Sequence, residues 1–287
     1  MRGNAAFRDT IRRPVIEPMA ITRISFTPVK GMRLLALEET ALTRYGIPGD
    51  RAFFLVDSRR RMVNAKRVGK LLTIVPHLDR EAGALRLLFP DGSVCEDEIE
   101  LGEPAAFSFF GRQVQAKPVE GPFSAAISKH VGEELRLVAR PENRPAVDRG
   151  AIAGITLIGS ASIRRLEAVA AATGETANPQ SPAGPGPVDH RRFRMSVEFD
   201  GAEAHAEDDW IGRKLRLGEA LLQVNGHVGR CAVTTRNPDS SERDLPVLRL
   251  LRDYRQGVAS EEALPFGVFA AVREPGLIRV GDPVVPV

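Results

Sequence analysis

From residue 20 to about 118 the chain is interrupted every few residues by turn formers, and the pieces between them carry β patterning without helical periodicity. A stretch punctuated in this way cannot bury its apolar residues on helices, so it must bury them on a closed or strongly curved sheet. RAFFLVD (51–57) and LLTIVPHL (71–78) have strand character. In LRLLFPDGSVCEDEIE (85–100) the triplet Pro90-Asp91-Gly92 marks a hairpin turn. FSFFGRQVQAKPV (107–119) reads as a second strand pair, bent at Gly111. Arg59-Arg60-Arg61 follows Asp57-Ser58 between two apolar runs, where a solvated turn belongs.

Helical patterns begin only beyond residue 120. PFSAAISKHVG (122–132) opens on proline and closes on glycine. SASIRRLEAVAAATG (160–174) puts Ile163, Leu166, Val169 and Ala170 on one face and ends at a glycine. DLPVLRLLRDYR (244–255) offers Asp244 as N-cap and Pro246 in the first turn. RFRMSVEF (192–199), EALLQVN (219–225), CAVTT (231–235), FGVFAAV (266–272) and GLIRVGDPV (276–284) are strand-like. The expected fold is therefore mixed α/β and mostly β, with a β-barrel domain over 19–120 and a barrel-like domain with a few helices over 121–287. Residues 1–18, Arg-rich and aperiodic, read as a disordered extension. Asp9 and Glu17 argue against a transit peptide there. The Gly/Pro-rich stretch 174–190 reads as a mobile loop.

Charge narrows the partners. Lys and Arg number 40 against 37 Asp and Glu, a net +3, which is not the concentrated basic face of a nucleic-acid binder. The excess is local, in Lys66, Arg67, Lys70 and the run Arg191-Arg192-Phe193-Arg194, and suits a small anionic ligand. The longest nearly apolar run, AIAGITLIG (151–159), is too short to span a bilayer. Two widely separated cysteines cannot build a disulfide framework, which points to a reducing, cytoplasmic compartment.

Cys231 stands between Arg230 and Arg236, with His227 four residues before it. A zinc site needs three or four protein ligands, and His227-x3-Cys231 supplies two. A Cys–His hydrolase wants its thiolate at a helix N-terminus with a partner from elsewhere in the fold. GSAS (159–162) lacks the elbow of a serine hydrolase. Cys95, beside Glu96, Asp97 and Glu98, reads as an inert structural thiol. A buried structural thiol is the commonest role of a single cysteine, but the positive neighbours favour the thiolate of Cys231, which leaves open a nucleophile, a sulfur carrier or a soft-metal ligand.

Five segments occur together in order: ISFTPVKGM (24–32), GIPGDRAFFLVD (46–57), AEDDW (206–210), GRCAVTTRNPD (229–239) and FGVFAAVREPGLIRVGDPV (266–284). Over roughly residues 20–284 they resemble a MOSC domain preceded by the MOSC N-terminal β-barrel domain. The arrangement looks like that of the amidoxime-reducing components and the bacterial reductases of N-hydroxylated bases. That resemblance implies a molybdenum cofactor, with Cys231 of the RC-x-x-T-T motif as metal ligand and catalytic residue. It further implies basic residues on the pterin phosphate: Lys30 of PVKG, Lys66 and its neighbour Arg67, and Arg194 of RRFRMS with Arg192 close by. Ser196 stands where the family's F-R-P-N segment carries asparagine, and Met195 where it carries proline. A hydroxyl offers fewer hydrogen bonds than an amide at that position. In GAIAG (150–154) the usual hydroxyl side chains are missing, so contacts there fall to backbone N–H groups. Arg236 replaces an apolar residue common in the family. In AEDDW, Trp210 is expected to fill the core while the acids stay solvated.

The implied reaction is two-electron reduction of a small N-oxygenated compound. Two cysteines cannot ligate an iron–sulfur cluster, so electrons are expected from a separate protein of the ferredoxin, flavin-reductase or cytochrome type. Two other readings of the same cysteine stand beside this one: a persulfide-bearing sulfur carrier, and a non-catalytic carrier of the cofactor.

Overall fold

The computed structural model describes residues 18–141, 152–176 and 186–287. Expectations for residues 1–17, for Gly150 and Ala151, and for the middle of the 174–190 loop lie outside these. The fold is mostly β, with three α-helices among the described residues. No described helix is long and apolar enough to cross a membrane.

The larger of two sheet systems has eight strands, in the order Val284–Pro286, Lys214–Leu217, Ala220–Gly229, Pro265–Glu274, Ile155–Gly159, Val197–Asp200, Ala20–Phe26 and Leu35–Leu37. Its neighbours are antiparallel except Ile155–Gly159 and Val197–Asp200. That parallel pair needs a long crossover, and the crossover carries helix Ser160–Ala172. Ile155–Gly159 is buried along its whole length, as a strand covered on both faces must be. The second system has five strands, ordered Met62–Val63, Phe53–Val56, Arg136–Ala139, Arg112–Pro118 and Ala105–Phe109. A three-stranded meander, Val75–Asp79, Ala84–Leu88 and Val94–Glu98, accompanies it.

Both hairpins read from sequence form, at Phe89–Ser93 and at Phe110-Gly111. The Arg59–Arg61 turn joins Phe53–Val56 to Met62–Val63. Part of LLTIVPHL differs, because Gly69–Thr73 winds into a 3₁₀ turn before the strand begins at Val75.

The packing does not divide at residue 120. Helix Phe123–Val131 places Phe123 and Ile127, both fully buried, in one core with Val29, Met32, Leu71 and Leu137. Phe53–Val56 is buried along its length and hydrogen-bonds on one edge to Met62–Val63 and on the other to Arg136–Ala139. In the other direction, Ala20–Phe26 pairs with Val197–Asp200, and Glu39–Leu42 pairs with Gly276–Arg279. Ile21, Ile24, Leu42 and Ile47 thereby join Trp210, Leu217, Val268 and Ile278 in the core of the large sheet. The chain thus starts in one unit, builds the other, and returns.

AEDDW forms a 3₁₀ turn with Trp210 in the core, 4.8 Å from the Phe199 ring centroid. Its acids are not all solvated: Glu207 is fully buried. It accepts from the Gly159 N–H at 3.2 Å and from the Ser162 hydroxyl at 2.8 Å, and burial pushes its carboxyl above the usual range. Cys95 is half-buried, its thiol pushed up by burial and by Asp97.

Phe123→Ala is expected to cost about 3–5 kcal/mol, because the fully buried ring joins residues on both sides of position 120. A urea denaturation midpoint within error of wild type would disprove that bridging role.

Candidate cofactor site

At the seam of the two sheet systems lies a cleft of about 310 Å³. One wall comes from residues 30–66 and the hairpin tip at Phe110. The other comes from the turns around Arg194 and Cys231.

Strand Ala220–Gly229 ends just before Cys231, and CAVTT does not extend it. Ala232–Thr235 is a 3₁₀ turn with Cys231 at its N-cap. The β-branched residues suggest a strand, but local hydrogen bonds win. The Thr234 hydroxyl and N–H both donate to the Cys231 carbonyl, at 3.0 and 3.1 Å. The turn faces the thiol outward, and Cys231 is exposed and unpaired with any other cysteine. Among the described residues no group of three or more His, Cys, Asp or Glu is arranged to hold a metal ion.

Both flanking arginines are engaged with backbone carbonyls. Arg230 is buried, its guanidinium donating to the carbonyls of Phe266 and Phe193, the latter at 2.7 Å. It also lies over both of those rings, 5.4 and 5.8 Å from their centroids. Arg236 packs over Gly69, outside the cleft lining. His227 turns away, with Nε2 3.2 Å from Asp208 Oδ1.

Arg194 sits at the left-handed end of the 3₁₀ turn His190–Phe193, at φ 53°. That conformation is uncommon for a non-glycine residue. RFRMSVEF is accordingly a turn followed by a strand that starts only at Val197. The Arg194 side chain donates to the Met32 carbonyl at 2.7 Å, and its own carbonyl accepts from Arg51 at 2.9 Å. Burial and the charge of Arg51 push its guanidinium down to about 9, still cationic at neutral pH. A partly desolvated cation next to a second one favours an incoming anion.

Lys30 lines the opposite wall, with Nζ 5.1 Å from the Phe110 ring centroid. Gly31 follows at φ +94°, where a Cβ would come within 3.3 Å of the Ala65 nitrogen. Lys66 is exposed on the cleft, held by an Asx turn in which the Asn64 side chain accepts the Lys66 N–H at 3.0 Å.

Three residues named from sequence have other work. Arg67 lies outside the cleft lining and is tied to Asp57 and Glu133. Arg192 reaches the lining but is 2% exposed. Its two terminal nitrogens each donate to Asp244 at 2.7 Å. This engagement also takes Asp244 away from N-capping, and the third helix runs Val247–Tyr254. Ser196 is buried behind the wall, its hydroxyl 3.2 Å from that of Thr156, which does line the cleft. Missing from the sequence reading are Arg51, Asn64, Phe110 and Thr156. For Arg51 and Asn64 a local signal existed: one ends G-x-x-G-D-R, and the other opens a turn two residues before a lysine.

The MOSC domain model matches residues 154–285, and the model of the MOSC N-terminal beta barrel domain matches residues 19–134. The chain is a MOSC-family protein. The MOSC match contains Ile155–Gly159, Val197–Asp200, Lys214–Leu217, Ala220–Gly229 and Pro265–Glu274 of the large sheet. The N-terminal match contains its strands Ala20–Phe26 and Leu35–Leu37 together with Lys30, Lys66 and Phe110. It is 42% identical over 105 residues to mitochondrial amidoxime-reducing component 1 of Xenopus laevis, which covers 34% of this chain and 30% of that protein. It is 23% identical over 274 residues to the molybdenum cofactor sulfurase of rice, 86% of this chain and 32% of that protein. The MOSC chain thus spans about a third of the length of these curated relatives. Among solved structures, the YuaD protein from Bacillus subtilis aligns over 93% of both chains at 12% identity, with a TM-score of 0.44.

The Asp57 site gives a pH signature. Burial pushes its carboxyl up, but hydrogen bonds from the Arg61 backbone and side chain and from Arg67 outweigh that, leaving it at about 2 against an ordinary 3.8. A lowered folded-state value means the stabilisation is complete above about pH 4 and is lost as pH falls through about 2. Melting temperature against pH should fall less steeply over that window in Asp57→Asn than in wild type; parallel curves would refute the assignment.

Proposed function

We propose that this MOSC chain is a molybdenum-cofactor-dependent oxidoreductase that reduces small N-hydroxylated compounds. The observation that carries this reading is one exposed thiol in a cleft walled by cations from both sheet systems. The residues present fit the group. A thiolate suits a soft metal, lysine and arginine suit a phosphate, and Gly31 lets backbone approach closely. When bound, the cofactor supplies two-electron redox chemistry at its metal, which no side chain here supplies.

The protein's part is to hold and orient. Cys231 is the catalytic residue, the protein ligand of the metal. Thr234, by fixing the Cys231 carbonyl, fixes where the thiol stands. Lys30, Lys66 and Arg194, which line the cleft, would hold the phosphate. Arg192 and Ser196 act at one remove: Arg192 braces the segment after Cys231 through Asp244, and Ser196 orients Thr156. Arg67 steadies the base of the Lys66 turn through Asp57 and Glu133. Electrons come from a separate donor protein in the cytoplasm.

A second reading, sulfur carriage on Cys231, is favoured by the likeness to molybdenum cofactor sulfurase along most of this chain. It uses the same exposed thiol with no metal bound. A non-catalytic cofactor carrier would use the same cradle.

Molybdenum content separates these readings. In protein from a host that makes the cofactor, wild type is expected to hold near-stoichiometric metal and reduce benzamidoxime with an artificial electron donor. Cys231→Ala should lose most of both, and Lys30→Ala should hold less cofactor. Metal-free wild type from that host, with cyanide-labile sulfur on Cys231, would replace the reductase reading with sulfur transfer. Loaded protein inactive with every N-hydroxylated compound would point to a carrier.

A further inference from the structure

Five residues beyond Cys231 stands an arginine for which the cofactor cradle has no use. Arg236 leaves the Ala232–Thr235 turn with extended backbone and pairs with Arg243 in an isolated antiparallel bridge. Two arginines therefore stand side by side. The guanidinium of Arg236 lies against Gly69, where an added Cβ would fall 2.3 Å from Nη1. Any other residue at 69 would push the guanidinium from its place.

The hydrogen bonding of Arg236 is incomplete. Nη1 donates to the Ser241 carbonyl at 2.7 Å, while Nε is buried with no hydrogen-bond partner. Two carboxylates on the same segment are engaged elsewhere, Asp239 with Arg33 and Arg191 and Asp244 with Arg192, while the exposed Glu242 beside Arg243 forms no ion pair with either arginine among the described residues. Among the described residues neither Arg236 nor Arg243 forms an ion pair, and Lys70, the residue after Gly69, adds a third cation without one. Burial and the neighbouring Arg243 both disfavour the charge on Arg236. Like charges held together with a buried unsatisfied donor are costly to fold. A bound anion at the rim offsets the like-charge repulsion.

Position ties this pair to the cleft. Arg236 comes two residues after Thr234, which lines the cleft, and packs on the segment whose Asn64 and Lys66 also line it. It sits at the rim rather than inside. We propose that Arg236 and Arg243 form an oxyanion-binding subsite at the rim, and that the N-hydroxylated substrate carries a carboxylate or phosphate-type group seated there. The second half of this proposal rests on the reductase reading, and the first half does not.

The test uses cofactor-loaded protein without reductant, so that binding is read apart from turnover. Titration calorimetry compares benzamidoxime with its 4-carboxy and 4-phosphonomethyl analogues. Wild type is expected to bind an anionic analogue roughly tenfold more tightly than the neutral parent, and the analogue that gains more identifies the group. Arg236→Met should abolish the gain. Arg243→Gln, at an exposed position that leaves the fold intact, should reduce it several-fold. Without ligand, Arg236→Met should melt no lower than wild type, since it removes a buried unpaired donor and a like-charge neighbour. A lower melting temperature with the anion preference intact would mean that Arg236 only braces Ser241, and would overturn the proposal. Equal wild-type affinity for charged and neutral compounds would overturn it as well, whether or not either is reduced. Failure of the reductase reading looks different: tight binding of the anionic analogue, but no turnover once an electron donor is added.

Discussion

Arg230 carries a full positive charge into a position only 8% exposed, where backbone carbonyls and aromatic faces must replace water. The arrangement fixes more than one side chain. Arg230 immediately precedes Cys231, and Phe193, whose carbonyl it holds, immediately precedes Arg194. One guanidinium therefore sets the separation between Cys231 and Arg194, which line the same cleft. Its other carbonyl partner, Phe266, is followed by Gly267 at φ +79°, where a Cβ would meet the Leu157 carbonyl oxygen and Met195 Cε at 2.8 Å. Central strand, cation turn and thiol turn are thus held by one planar group. Lysine, a point charge on a flexible stem, could not make the same forked contacts.

A second set of arginines controls the other edge of the cleft. Asp239, beyond the thiol turn, is held by Arg33 from the first unit and Arg191 from the second. The buried Arg192–Asp244 pair lies behind them. A pair buried this deeply is weak evidence for stability but good evidence for a fixed geometry. The walls of the cleft are therefore joined by charge on one side and by shared strands on the other. A cradle whose halves belong to different units needs such ties, because a displacement of about 1 Å is enough to spoil a binding constellation.

Much of this was legible in the chain. The hairpins at Pro90-Asp91-Gly92 and Phe110-Gly111 announce themselves by turn chemistry, and the crossover helix by its apolar face. The motif cysteine, Lys30, Lys66 and Arg194, from separate motifs, line one cleft. What was not legible depends on contacts distant in sequence. CAVTT has strand composition, yet the hydroxyl of Thr234 curls it into a turn. Glu207 sits among acids that look solvated, and only the N-terminus of a helix begun 47 residues earlier explains its burial. Arg192 and Arg194 are alike in sequence, but only one meets an aspartate 52 residues later. Single residues in a basic run cannot be sorted into paired and unpaired cations until their carboxylates are known.

The place of Ala20–Phe26 in the large sheet has a consequence for how the protein is made. This strand is synthesised early, but its partner Val197–Asp200 follows some 175 residues later. At about 5–20 residues per second, that is a wait of roughly 10–35 s on the ribosome. Throughout it, Ile21 and Ile24 have no core to enter, and one strand edge stays open to other nascent chains. The first unit is spared this delay, since its last strand, Arg136–Ala139, closes it midway through synthesis. The order of manufacture therefore leaves Ala20–Phe26, like Glu39–Leu42 whose partner Gly276–Arg279 comes later still, waiting outside a first unit that is already closed.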